Sequence, residues 1–583
     1  MTVSQLMKSW PRLLSKDHQA RDVSDNGMNK ESGMSWRTHD VFNQFSELSD
    51  YNLFTTDRAL TEALDRNADW SSEQLTAYGA SLGSAQTYAL ADNANRHKPE
   101  LQIFDSRGRR IDFVDFHPSW HSLLGMYREQ GLVSLPFREQ RSGRWSAWAA
   151  GFYMHAQIEY GTLCPAAMTQ ASIPLLQKEP ALWDTLGDKL FSDEHDPSDR
   201  PISGKRSIWL GMGMTEKQGG SDVRANTTKA TPVGGGGRGG EYSLRGHKWF
   251  FSAPMCDAHL VVARADDTDS FGCFYVPRFR PDGSKNAIHI QRLKDKVGNR
   301  SNASAEVELQ DAYGVLMGEQ GRGIPTIIDM ATYTRLNCVL GSAALLRQAL
   351  VQALSYARRR MTFGKRLIEH PPMGSVLVDL ALESEAALAI GMRLAEAFEQ
   401  NSDMLNSAWK RVMTPAAKFW VCKRSVELTG EAMEVLGGNG YVEQGVMARL
   451  FREAPVNSIW EGAGNIMCLD VVRALSREPD CVDALTSDLK DMSSGCPILT
   501  EELSHLSTLA RSTPEVLEAS ARILAQQLVL IAQACLLRRY STTEVSDAFV
   551  KTRLSDRRSG RVVGAIDLGS VQAGPILSRA LAA

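Results

Sequence analysis

The chain has 583 residues, 43% of them apolar, and a formal net charge of −3. That length suggests several structural units, and so near-neutral a whole does not mark a nucleic-acid binder, although it leaves room for a local basic face. The nine cysteines form no C-x-x-C pair, which argues against a metal site or a disulfide framework and for a reducing, cytoplasmic setting.

Residues 1–33 are polar, of mixed charge and without a clear period, and read as a disordered extension. They lack a signal-peptide apolar core; Lys8, Arg12 and Lys16 give a weak transit-peptide pattern that the following acidic residues dilute. From 34 to 206 the patterns are mainly helical, with apolar residues at helical spacing over 152–158. Near Ser207 the texture changes. Short aromatic and β-branched runs at 242–251, 259–263, 272–276 and 305–309 predict an antiparallel β domain over 207–323. The glycine-rich tract 234–240 reads as a loose hairpin loop.

The stretches 324–360, 373–399, 408–437 and 465–476 then have helical length and spacing, the count of a helix bundle spanning 324–480. A further helix-rich region covers 481–583. No uninterrupted apolar run reaches about 18 residues, so no membrane span is expected. The stretch 523–537, broken by Gln526, Gln527 and Gln533, reads as a buried helix of a soluble domain.

Five segments carry chemistry-bearing residues. Gly211-Met212-Gly213-Met214-Thr215-Glu216-Lys217-Gln218-Gly219-Gly220-Ser221-Asp222 offers bare backbone N–H groups and hydroxyls to an anion, or is simply a polar turn. Lys248-Trp249-Phe250-Phe251-Ser252 is a core strand or the backing of a planar ring. Arg358-Arg359-Arg360-Met361-Thr362-Phe363-Gly364 suits both a helix C-terminus and a phosphate. Gly437-Gly438 is a helix stop that also permits close approach of a diphosphate. In Asn457-Ser458-Ile459-Trp460-Glu461-Gly462-Ala463-Gly464-Asn465 a carboxylate sits between an aromatic residue and a glycine, where partial desolvation would suit a general base and where a capping role is the ordinary alternative.

Taken together and in order, these segments resemble the acyl-CoA dehydrogenase superfamily over about residues 35–476. The resemblance implies an α+β fold: an N-terminal helical domain, a central antiparallel β domain and a C-terminal four-helix bundle. It implies FAD as cofactor, with Thr215 and Ser221 in the T-E-x-x-x-G-S-D segment that wraps flavin and pyrophosphate and Met212 and Met214 in the flavin-facing stretch before it. Phe250, Phe251 and Ser252 stand in the W-I-T strand behind the isoalloxazine. Arg360, Thr362, Phe363 and Gly364 match the R-x-T-F-G segment that reaches a neighbouring subunit's FAD, and Gly437 and Gly438 match the glycines near the adenosine diphosphate. Glu461 matches the catalytic base, with Ile459, Trp460, Gly462 and Asn465 beside the cofactor. Phe250, Trp460, Ala463 and Glu434 depart from the commoner tryptophan, tyrosine, hydroxyl residue and glutamine at those places.

The spellings of 211–222, 246–252, 293–304 and 457–470 are more similar still to the AidB-like, alkylation-response branch, and Met34-Ser35-Trp36-Arg37-Thr38-His39 resembles the start of its chains. Membership would imply an extra C-terminal helical domain, a homotetramer, double-stranded DNA binding and weak dehydrogenase activity. Residues 503–583 carry ten Lys and Arg against six Asp and Glu, an excess of four. Arg538, Arg539, Lys551, Arg553, Arg557, Arg558 and Arg561, with Arg473 before them, are the candidate phosphate contacts; a solvated helical surface is the alternative. Three functions follow: an enzyme in which Glu461 removes the α-proton of an acyl-CoA while FAD takes the β-hydrogen, a DNA-protective flavoprotein with negligible turnover, and a protein that sequesters acyl-CoA.

Overall fold

A computed structural model describes residues 38–265, 270–399, 403–555 and 562–582, so the expectations for residues 1–33 and for a start at Met34 lie outside the described residues. The chain divides into two units, 1–44 and 45–583. The described part of the first, 38–44, is without helix or strand.

The second unit opens with helices α1 (Arg58–Asn67), α2 (Ser72–Gly83) and α3 (Ala85–Arg96), a hairpin of β1 (Glu100–Phe104) and β2 (Arg110–Asp115), and helices α4 (Pro118–Glu129), α5 (Arg144–Ile158), α6 (Leu163–Leu176) and α7 (Pro180–Phe191). Helix α1 starts where the Asp57 side chain accepts a hydrogen bond from the Leu60 N–H, an N-cap that satisfies one of the free donors of the first turn. Helix α5 is apolar on all sides and buried along nearly its whole length, as a helix surrounded by others must be. The hairpin falls within a stretch whose sequence pattern is mainly helical, and departs from that expectation.

Strands β3 (Leu210–Gly213), β4 (Lys229–Pro232), β5 (Glu241–Ser252), β6 (Ala258–Ala265), β7 (Ser270–Pro277), β8 (Ile288–Leu293) and β9 (Ser304–Met317) follow. The order runs β3-β6-β4-β5-β9-β7, with β8 on β9, and β6 also pairs with β7, which curls the sheet back on itself. The pairs β4–β5, β5–β9, β6–β7, β7–β9 and β8–β9 are antiparallel. Both β3 and β4 run parallel to β6, an exception to the all-antiparallel expectation.

The last region holds α8 (Gly323–Arg359), α9 (Pro371–Glu399), α10 (Thr414–Val435), α11 (Val446–Asn457) and α12 (Gly464–Arg477). A π-helical turn, Trp409–Met413, leads into α10, whose Pro415 lacks the N–H that a first turn leaves unused. Helix α8 packs against α5, α9 and α10. Its most apolar stretch is wholly buried, so this length of apolar helix is core.

The additional helices are α13 (Pro479–Ser493), α14 (Pro497–Ala510), α15 (Ala521–Tyr540), α16 (Thr543–Arg553) and α17 (Ala573–Ala580). Helix α15, the expected buried helix, packs on α9, α10 and α12. Two arginines tie this region down. Arg579 pairs with Glu385 at 3.0 Å and with Glu62 at 2.6 Å. Arg553 pairs with Glu383 at 2.8 Å and with Asp379, and is only 9% exposed. This corrects its reading as a phosphate contact: its guanidinium is committed to two buried carboxylates of α9, and freeing it would take the cation from Asp379 and leave Glu383 with Arg424 alone.

Candidate active site

The segment 211–222 begins as β3 and continues as a loop pinned by Glu216. The Glu216 carboxylate accepts from Thr227 N at 2.7 Å and Thr228 N at 3.1 Å, and pairs with Lys248 Nζ at 2.8 Å. Burial alone would raise the Glu216 pKa, but the Lys248 ammonium, with the hydrogen bonds from Thr227 and Thr228, outweighs it and holds the group near 2. The Asn226 side chain donates to Met214 O at 2.7 Å, and Trp249 N donates to Thr215 O at 2.9 Å. The loop is thereby bound to the start of the 249–252 segment. Met212, Met214 and Thr215 are half-buried along this edge, and Ser221 is exposed. Sequence reasoning gives neither Glu216 nor Lys248 a site role, although both stand inside the motifs.

Strand alternation separates the next two residues. Phe250 is 50% exposed, whereas Phe251 is buried and stacks on His259 with ring centroids 3.9 Å apart. A planar group on the outer side would meet the Phe250 ring, while the Phe251 side chain belongs to the core. Lys294 Nζ lies 4.7 Å from the Phe250 ring centroid and 3.3 Å from that of Trp249. Ser252 is half-buried, and its hydroxyl is within reach of the Cys164 thiol, as is Asn302.

Glu461 follows α11 in a turn that leads into α12. It adopts φ 59° and Gly462 follows at φ 106°, two left-handed residues in succession. For a glutamate that backbone is strained, and strain of this kind persists where surrounding structure imposes it. Two buried cations do so. Lys418 Nζ donates to Asn457 O at 3.0 Å and Gly462 O at 2.8 Å. Arg335 Nε donates to Glu461 O at 3.2 Å, while its Nη1 pairs with Asp470 at 2.9 Å. The carboxylate oxygen Oε2 of Glu461 is buried and has no partner among the described residues. Burial raises the pKa of Glu461, and the Thr334 hydroxyl and the Lys418 and Arg335 charges pull it partly back. Burial raises the Cys164 thiol pKa to about 12, with Asn302 lowering it and the Glu461 charge adding to the rise.

Trp460 is half-buried, its Nε1 donating to Asn457 Oδ1 at 3.0 Å and its ring centroid 6.2 Å from that of Tyr160. Ile459 is exposed, and Asn465 accepts from Arg522 Nη1 at 2.8 Å. Gly437 takes φ 61° and ψ −142°, a backbone that only glycine adopts readily, and a Cβ on Gly437 or Gly438 would meet open space. Arg360 ends α8, and the Phe363 ring is 90% exposed at φ 50°. An open aromatic ring on a strand suits a flat cofactor, and a glycine pair with clear backbone suits its diphosphate tail, so these residues fit FAD.

Behind the site lies a buried pair that the sequence did not reveal. The Glu453 carboxylate accepts from Asn299 N at 2.6 Å and from Asn299 Nδ2 at 2.7 Å. Burial pushes its pKa up to about 7 against the lowering effect of those bonds, with the Glu159 charge adding to the rise.

The candidate phosphate contacts are dispersed. Arg473 is exposed and 3.4 Å from Asp470, Arg539 and Lys551 are exposed, and Arg538 is half-buried. Arg557, Arg558 and Arg561 lie outside the described residues.

Three family models match in series: the AidB N-terminal domain of adaptive response protein over 43–197, the middle domain of acyl-CoA dehydrogenase over 211–312 and its C-terminal domain over 321–476. The chain is similar to AidB of Escherichia coli (strain K12), with 44% identity over 91% of this chain and 97% of the relative. Among solved structures it is similar to Caenorhabditis elegans ACDH-11 in complex with C11-CoA, with TM-score 0.80, 23% identity and coverage of 91% of this chain and 95% of that one. The acyl-CoA dehydrogenase of Bacillus anthracis complexed with FAD aligns with TM-score 0.59 and 17% identity over 75% of this chain and 78% of that one.

Proposed function

Because the chain belongs to the acyl-CoA dehydrogenase family, in its AidB-like branch, we propose that it is a flavoprotein that dehydrogenates the Cα–Cβ bond of an acyl-CoA thioester. The observation that carries the reading is Glu461: a carboxylate in a strained turn, with one buried oxygen unpartnered and a raised pKa. These are the attributes of a general base held ready for a weakly acidic C–H.

FAD, the cofactor of this family, supplies the acceptor for the β-hydrogen and its electron pair. The residues that would hold it are the 211–222 loop for flavin and pyrophosphate, Phe250 and Ser252 for the ring, and Gly437 and Gly438 for the diphosphate. Glu461 takes the α-proton on Oε2. Arg335 and Lys418 fix the backbone on either side of it, and burial of the carboxylate keeps water from competing for the proton.

The acyl-CoA comes to this chain from the C. elegans complex, and the acyl group it carries is an open variable. Phe363, exposed at positive φ beside Gly364, supports a homotetramer in which the 360–364 segment completes a neighbour's cofactor site. Free thiols throughout support a cytoplasmic setting.

A second reading, sequence-independent binding of double-stranded DNA, draws on the excess of positive charge after 503 and on the exposure of Arg473, Arg539 and Lys551. Anaerobic flavin reduction with a panel of acyl-CoAs, run beside a DNA titration across salt concentrations, tests both. Bleaching by one acyl-CoA supports the dehydrogenase. Tight acyl-CoA binding without bleaching moves the function to sequestration, and DNA binding alone to protection.

A further inference from the structure

The turn 457–462 is held at both ends by one side chain. Lys418 projects from the first turns of α10, is 1% exposed, and spends its Nζ hydrogens on the carbonyls of Asn457 and Gly462. Those carbonyls bracket Ser458, Ile459, Trp460 and Glu461. An ammonium this deep ordinarily sits against a carboxylate, because the desolvation of an unpaired charge is costly. Its hydrogen-bond partners among the described residues are both backbone oxygens, and the carboxylate that feels its charge is Glu461.

We propose that Lys418 is a positioning residue for Glu461: it locks the left-handed turn through two carbonyls and serves as the buried counter-charge that keeps the carboxylate ionised without touching it. An ion pair in direct contact would occupy the oxygen that must accept a proton. A cation held one turn away by carbonyls favours the ionised form and leaves Oε2 open. Gly462 fits this arrangement, since a Cβ there would lie 2.5 Å from the Met467 methyl group, in a backbone that side chains rarely adopt.

The other groups facing Glu461 do not make Lys418 redundant. From α8 come Thr334, Arg335 and Cys338, and from α6 comes Cys164. Arg335 is in contact with Asp470 of α12, a carboxylate it shares with Arg411 and Arg473. Cys164 and Cys338 have thiol pKa values raised by burial and stay neutral, so they add no charge. Lys418 is thus the cation in this set with no carboxylate of its own in contact.

The inference rests on reading Glu461 as the base, and its test separates the two. FAD-replete protein is titrated by infrared difference spectroscopy, and the Glu461 carboxyl signal is the one that vanishes in Glu461→Gln. Lys418→Met, which removes charge and donors at similar volume, should raise the Glu461 midpoint by about one pH unit, a tenfold tighter proton. Lys418→Arg, which keeps the charge, should leave it near the parent's value. Any acyl-CoA-driven flavin reduction should shift its pH profile upward in Lys418→Met by the same amount. An unchanged midpoint in Lys418→Met, with FAD retained, overturns the proposal. If Lys418→Met fails to fold, Lys418→Gln is read in its place. Collapse of both neutral variants while Lys418→Arg folds also counts against it, because a role confined to this turn leaves the bundle standing. Absence of acyl-CoA-driven reduction in the parent sinks the dehydrogenase reading and leaves the titration result intact.

Discussion

Lys248 and Glu216 meet at 2.8 Å with neither side chain reached by solvent, and the loop 211–222 hangs from that contact. Removing one partner leaves a buried charge uncompensated, which costs about 3–5 kcal/mol. Lys248→Ala should therefore unfold at markedly lower denaturant and bind FAD less tightly. The depressed Glu216 pKa sets the pH window: its contribution is fully present above the ordinary carboxylate value of 4.5 and is lost as pH falls toward about 2. Denaturation profiles between those limits, parent against variant, should converge at the acid end.

Glu461→Gln should keep its FAD spectrum and lose acyl-CoA-driven flavin reduction by at least about a hundredfold, the lower end of what a positioned base contributes. Stopped-flow reduction under anaerobic conditions reads this directly. Unchanged kinetics would place the base elsewhere.

Glu453 gives a pH dependence of opposite sign. Its folded pKa of about 7 lies above the ordinary 4.5, so the folded state binds the extra proton. Stability tied to this group is fully present below about 4.5 and is lost as pH rises through 7, at about 1.4 kcal/mol for each pH unit separating the two values. Glu453→Gln, which cannot ionise, should flatten that part of the profile in thermal melts from about pH 5 to 8. A parent profile without the decline would show that Asn299 keeps the carboxylate ionised.

Phe363→Ala should weaken FAD binding by about tenfold, roughly 1.4 kcal/mol, if the exposed ring seats against a neighbour. Sedimentation should show a lower average mass at micromolar protein. A variant with unaltered mass and flavin affinity would leave the exposed ring without that role.

For DNA, neutralising Arg539, Lys551, Arg557, Arg558 and Arg561 together should lower the magnitude of the salt slope by about one for each phosphate contact removed, with the flavin spectrum intact. Arg553→Ala should behave differently. It removes the guanidinium from buried Asp379 and leaves Glu383 with Arg424 alone, and should destabilise the protein by about 3–5 kcal/mol. Equal DNA binding by the parent and the five-fold variant at every salt concentration would remove this surface from consideration.

The large helices are legible because their apolar spacing runs for many turns: α8, α9 and α12 lie within two residues of the stretches read from periodicity. The hairpin β1–β2 is not, since its strands are five and six residues long and largely unburied, and leave little pattern. Strand β3 is masked by glycines and methionines that read as a turn. The motif residues around Glu461 are visible as letters, but their supports are not. Lys418 is one lysine in a helix, and only tertiary packing brings it to the carbonyl of Gly462, 44 positions on. Arg553 shows the converse. Its letter matches the basic residues around it, yet burial against α9 sets it apart.

Arg579 joins Glu62 across 517 positions of chain. Helix α1 leaves the ribosome early, yet the guanidinium that pairs with its glutamate is made only after the whole β domain and bundle. Until then Glu62 has only the charges of Arg58 and Arg66 on its own helix, and Glu385 lacks the Arg579 cation. The first helical region therefore assembles before its counter-charge exists, and a chain cut before Arg579 should leave both Glu62 and Glu385 without that cation.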